Sequence, residues 1–175
     1  RPTRWLSVGG EMGWLARPRV MATGGTFDPH HPDARVMYAA DPGMSAAYQP
    51  NFLHSELSVE GDTLDSHSHP TDGGFYRGAM TAYADRSRGT FTFYQYEAEA
   101  LQMVPLGNRR VVLGLHAWTV YSDVPADHEV PFYLMPALGG NNTLRAFDDY
   151  QFHERNSVLA SAELRFALTR HLDAA

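Results

Sequence analysis

The chain has 175 residues, 43% of them hydrophobic, 12% aromatic and 19% charged, with a formal net charge of −6 and no cysteine. That length suits one domain. An acidic balance without any basic arm excludes nucleic acid as a partner, and the missing thiols exclude disulfides, cysteine nucleophiles and cysteine-built zinc sites.

Six segments alternate apolar and polar residues with period two, the mark of strands with two unlike faces. In chain order they are expected at Trp5–Arg17, Asn51–Glu60, Gly74–Asp85, Thr90–Val104, Arg109–Tyr121 and Ser157–Leu168. Several exceed the usual soluble strand of about five or six residues. They match the roughly ten residues that a tilted strand needs to cross a bilayer. The connections differ in length: Arg86–Gly89 and Pro105–Asn108 are tight, whereas Pro18–Pro50 and Ser122–Asn156 are long. No apolar run is long enough for a membrane-spanning helix, which leaves a barrel open, because barrel strands alternate.

The two faces separate cleanly in the later strands. Tyr94, Tyr96, Ala98, Ala100 and Val104 oppose Gln95, Glu97 and Glu99. Val111, Leu113, Leu115 and Ala117 oppose Arg110, His116 and Trp118. Val158, Ala160, Ala162, Leu164, Phe166 and Leu168 oppose Ser157, Ser161, Glu163 and Arg165, with Leu159 as the misfit. In the second strand Leu53, Leu57 and Val59 oppose His54, Glu56 and Glu60. Such alternation fits a membrane barrel, and equally a soluble sandwich or lipocalin-like barrel with one wet face. Two features favour the membrane: ionisable residues in mid-strand, suited to a polar lumen, and aromatics near strand ends (Trp5, Phe75, Tyr76, Phe91, Phe93), suited to interfacial girdles. About eight strands is the smallest common closed barrel, so six alone are expected to form an open, curved sheet.

The tract VPFYLMPALGGNNTLRAF, Val130–Phe147, lies between the strands RRVVLGLHAWTVYSD and SVLASAELRFAL. With QPNFLHSELSVEGDT and PTDGGFYRG upstream, it resembles the BamA/TamA family of outer-membrane β-barrels, the bacterial surface antigen family. The resemblance implies an all-β fold: an antiparallel meander of about six long strands, an open fragment of a transmembrane barrel with a long loop folding inward. Residues 1–175 would then be a partial barrel domain cut at both ends. The implied lumen-loop motif is Gly139, Gly140, Leu144, Arg145, Ala146 and Phe147, supported by Glu163 and Arg165 on the strand that leaves the loop. In the family the arginine pairs with an acidic residue on a later strand; within this chain its candidate partners are Asp148, Asp149 and Glu163. The family usually has glycine where Ala146 stands, so alanine would be strained there if the turn needs positive φ.

The implied function is insertion of barrel proteins into, or translocation of polypeptides across, the bacterial outer membrane, by a weak seam and local membrane thinning and without an enzymatic step. The implied partners are the outer-membrane lipid bilayer and unfolded outer-membrane or exported polypeptides, with periplasmic or lipoprotein partners as further candidates. No cofactor and no metal are expected. A different class of protein, a soluble β-barrel or sandwich binding a small apolar ligand, would bury Val111, Leu113, Leu115, Val158, Leu164 and Phe166 and expose the charged face. A third, a metal-dependent enzyme using His30, His31, His67 and His69, would need three or four ligands to converge, whereas the His67–Pro70 tract is expected in a turn, where polar residues are the default. The Gly-rich pieces VGGEMG and ATGGTF lack the spacing of a phosphate loop, and no GxSxG elbow occurs.

Overall fold

The computed structural model describes residues 5–16, 39–40, 50–87, 89–107, 110–140, 143–147, 151–169 and 172–174. Most of the long connection Pro18–Pro50 lies outside the described residues, as do His30, His31, Asp148 and Asp149.

Five long strands follow one another: β1 Leu6–Leu15, β2 Phe52–Asp62, β3 Gly73–Asp85, β4 Phe93–Leu106 and β5 Val111–Asp123. After a 3₁₀ turn at Phe132–Leu134 come a two-residue pair, β6 Ala137–Leu138 and β7 Phe152–His153, then the long β8 Ser157–Thr169 and the short β9 Leu172–Ala174. The main sheet runs β1-β2-β3-β4-β5-β8-β9, with every recorded neighbour pair antiparallel. It is an open meander of six long strands, with β9 added at one edge and the β6-β7 ribbon standing apart. No α-helix occurs among the described residues.

Cross-strand register decides which side chains share a face, because neighbours directly opposite point the same way and a one-residue slip would invert the whole set. Leu57, Met80, Tyr96 and Tyr121 are successive partners across β2 to β5. They lie on the outer face, exposed, with Val59, Tyr76, Tyr94, Leu115, Val158, Leu164 and Phe166. The opposite, inner face carries Glu56, Arg77, Glu97, Glu99, His116, Trp118, Glu163 and Arg165, all partly buried. A soluble protein would cover its aliphatic face and wet its charged one. Here Val158 is 75% exposed, while the ionic face is the one that the long loop covers. The orientation that a soluble ligand-binding barrel requires is therefore not the one observed.

The dry part of the inner face lies at the end where the long connections emerge. Phe52, Phe91, Phe93 and Val130 form a buried cluster, with Leu15, Tyr83, Tyr133, Leu134 and Met135 packed against it. Tyr83 stacks on Phe93 at 4.7 Å and meets Phe52 edge-on at 6.1 Å. Val130 to Met135 belong to the connection after β5, so this cluster fixes the base of the long loop to the wall.

Three expectations need correction. Phe91 and Phe93 are not girdle residues but core residues, at 2% and 0% exposure; Phe75 also shares the inner face, opposite Leu101. The folded loop supplies apolar partners there that the strand pattern alone does not reveal. The outer face instead has Trp14, Tyr94, Tyr96 and Tyr121 toward the long-loop end and Tyr76 and Phe166 toward the other. Thr90–Thr92 are not part of β4. The Asp85 carboxylate accepts from the backbone N–H of Ser87 at 2.7 Å and of Phe91 at 3.4 Å, drawing the chain into a turn, as Asp side chains do.

Candidate functional site

The connection 124–156 lies, in its described parts, against the inner face, at its base with Val130–Met135 and further on with Thr143–Phe147. Pairing of Ala137 with His153 and Leu138 with Phe152 narrows it into a ribbon, and the tip follows at Gly139–Phe147. Gly139 and Gly140 adopt φ of 135° and 76°, a region that side-chain-bearing residues avoid. Gly140 N–H donates to the Phe147 carbonyl at 3.0 Å and Thr143 N–H to the Gly140 carbonyl at 3.3 Å. Within this closed tip, Phe147 N–H donates to the Leu144 carbonyl at 3.0 Å, which makes Arg145 and Ala146 the two central residues of a β-turn. Phe147 then packs edge-on against Phe152 at 5.2 Å.

Glycine is required at the second central position only in turns that place it at positive φ. Asp127 is the one non-glycine at positive φ among the described residues, so Ala146 carries no such strain. Alanine is compatible with the turn as built.

The tip faces a cavity of about 660 Å³ lined by Thr143–Phe147 on one side and by Glu99, Met103, His116, Glu163 and Arg165 of the wall on the other. Arg145 Nη2 lies 3.6 Å from Glu163 Oε2. The second oxygen of Glu163 accepts from Arg165 Nε at 2.6 Å. The carboxylate thus stands between two guanidiniums, one from the loop and one from its own strand. Arg165 makes the close, charge-assisted bond; Arg145, 75% exposed, makes the longer contact.

All of the motif residues, with Glu163 and Arg165, are therefore brought to one place, except that Gly139 and Gly140 shape the tip without lining the cavity. A second ionic cluster was not singled out by sequence. Arg77 on β3 divides its guanidinium among three carboxylates: Nη2 to Glu56 Oε1 at 2.6 Å, Nη1 to Glu97 Oε2 at 2.7 Å and Nε to Glu60 Oε1 at 3.2 Å. Trp118 Nε1 donates to the other oxygen of Glu97 at 2.9 Å. His116 Nε2 lies 2.9 Å from Glu99 Oε1. These bonds tie β2, β3, β4 and β5 together across the inner face. The signal in the sequence was the row of polar mid-strand residues; only the register showed that one arginine serves three of them.

No group of three metal-ligating side chains occurs among the described residues. His67 instead sits 3.6 Å from Asp62 in the β2-β3 turn.

A sheet with its aliphatic side turned out, its ionic side turned in and a loop folded over the ionic side is the wall of a β-barrel of outer-membrane type. Comparison with known proteins agrees. The model of the Omp85 superfamily domain matches residues 28–174, and the chain belongs to the Omp85 superfamily. Its fold is similar to that of BamA from Haemophilus ducreyi, solved lacking POTRA domains 1-3, with a TM-score of 0.55 and 17% identity. The similarity covers 66% of this chain and 25% of that one, so the matched part spans about a quarter of the BamA chain. No curated protein matches the sequence significantly.

Proposed function

We propose that this chain forms one wall of a barrel in the bacterial outer membrane that inserts barrel proteins into that membrane or moves polypeptides across it. The observation that carries the reading is the inverted polarity of the sheet: exposed Leu57, Met80, Leu115 and Val158 on one face, and on the other the Arg77 cluster and the Glu163 cluster, the latter facing the loop tip. Hydrocarbon would cover the first face and lumen water would bathe the second. Crossing is feasible because the six long strands have 10 to 14 residues, at or above the roughly nine to eleven that a tilted strand requires.

In this reading the bilayer and unfolded polypeptides are the partners, and the work is mechanical: strand pairing at a sheet edge and a loop held in the lumen. Gly139, Gly140, Leu144, Arg145, Ala146 and Phe147 form the lumen motif, and Glu163 is the anchor on the wall. Arg145→Ala and Glu163→Gln, each made in the full-length protein, test it. Both variants should reach the outer membrane as folded, heat-modifiable barrels while assembly or export of other polypeptides falls. Parent-level assembly and export in both variants would reject the assignment.

A further inference from the structure

Arg145 stands on a tip closed by backbone bonds among Gly140, Thr143, Leu144 and Phe147, and one side chain adds a further closure at its mouth. The Thr143 hydroxyl donates to the Gly139 carbonyl at 2.7 Å and accepts from the Gly139 N–H at 2.8 Å. Both polar groups of a residue at φ 135° are thus satisfied by a side chain four positions later. Among the described residues the other hydrogen bonds of the tip go elsewhere: Gly140 bonds to Phe147, and Leu144 to Phe147. A glycine at the mouth of a loop is the least constrained residue available, so a clamp on it sets the direction in which the tip leaves the ribbon. Two residues beyond Thr143 is Arg145, whose own contact at 3.6 Å, with an exposed side chain, is too weak to organise the loop by itself.

We propose that Thr143 is a positioning residue: its hydroxyl locks Gly139 and thereby presents Arg145 to Glu163. The inference rests on the reading of the Arg145–Glu163 contact as functional, and it deepens that reading by naming what maintains the contact. Leu144 and Phe147 cannot substitute, because neither side chain has a polar atom to offer Gly139. Arg165 cannot either, since it is bound to Glu163 on the wall.

The test uses the full-length protein with Thr143→Val, which removes the hydroxyl at nearly constant volume, Thr143→Ala, which removes it without bulk, and Thr143→Ser, which keeps it. Nitroxide labels at Ala146 and Ser161 report the separation of tip and wall by electron paramagnetic resonance. The expected result is a broadened distance distribution for the Val and Ala variants and an unchanged one for Ser. Polypeptide assembly should fall about fivefold or more in Val and Ala, as expected for two lost hydrogen bonds, and stay near the parent level in Ser. Adding Thr143→Val to Glu163→Gln should cause no further loss, because the hydroxyl acts through that contact.

A sharp distribution in both Val and Ala would overturn the proposal, as would a loss that Ser fails to rescue. A Val effect that adds independently to Glu163→Gln would do so as well. If Arg145→Ala and Glu163→Gln leave assembly intact, the functional reading of the contact fails, whereas the label distances still decide whether Thr143 sets the tip.

Discussion

Glu163 is shared by two arginines of unequal standing: Arg165 binds one oxygen at 2.6 Å, and Arg145 approaches the other at 3.6 Å. The wall arginine holds the carboxylate in place beside the cavity; the loop arginine can leave without taking that organisation with it. An exposed ion pair of this kind contributes about 0–1 kcal/mol to stability. Arg145→Ala is therefore expected to change the denaturant midpoint of the full-length protein very little, while Arg165→Ala, which also loosens Glu163, lowers it more. Tryptophan-monitored unfolding in detergent micelles measures both, and a larger shift for Arg145→Ala would contradict this ranking.

Arg77 presents the opposite case. It pairs with three carboxylates from two neighbouring strands and offsets part of their mutual repulsion, so its removal leaves several partly buried like charges facing one another. Arg77→Met is expected to destabilise the barrel by roughly 2–4 kcal/mol, below the full cost for deep burial because the site is partly wet. Adding Glu97→Gln should recover part of that loss. Trp118, which donates to Glu97, provides the reporter: its fluorescence should shift in Arg77→Met before global unfolding.

Phe93 is fully buried in the cluster that holds the base of the long loop. Phe93→Ala should cost about 3–5 kcal/mol, as large aromatic truncations in a packed site do. It should also free the connection 124–156 from the wall. Limited proteolysis of intact cells or reconstituted vesicles is expected to cut that connection faster in the variant, while the membrane-embedded strands stay protected.

Gly73 occupies φ +90°, and a Cβ there would fall 2.1 Å from the Thr63 carbonyl oxygen. That carbonyl is backbone and cannot swing aside. Gly73→Ala must therefore distort the β2-β3 turn, where Thr63 and Gly74 exchange backbone and side-chain bonds. A loss on the order of 1–3 kcal/mol follows from the strain, seen as a lower yield of heat-modifiable protein. Gly89→Ala, also at positive φ but with nothing within 4 Å, should cost less.

The strand pattern was legible because lipid and lumen impose opposite demands on alternate residues. In β4, β5 and β8 the apolar and ionic sets separate as the alternation implies. What stayed hidden depends on the loop and the register. Leu159 reads as a misfit on a polar face, yet it is buried opposite Trp118 on the inner side. Phe91 and Phe93 read as membrane aromatics because nothing local says that Val130 and Met135 will pack against them. The string Leu144–Phe147 was legible as a candidate motif, but the hydrogen bonds between Thr143 and Gly139 require coordinates, since a hydroxyl near a glycine is among the commonest pairs in any loop. Arg77 needed three strands to be aligned before its partners could be counted.

The central claim concerns which face meets hydrocarbon. Single cysteines at Leu57, Leu115 and Val158 on one face, and at Ser58 and Ser161 on the other, labelled with an environment-sensitive fluorophore in the reconstituted full-length protein, test it directly. Brominated lipids should quench the first three and leave the second two unquenched and open to aqueous iodide. Quenching by lipid at Ser58 and Ser161, with Leu57, Leu115 and Val158 accessible to iodide, would contradict the account.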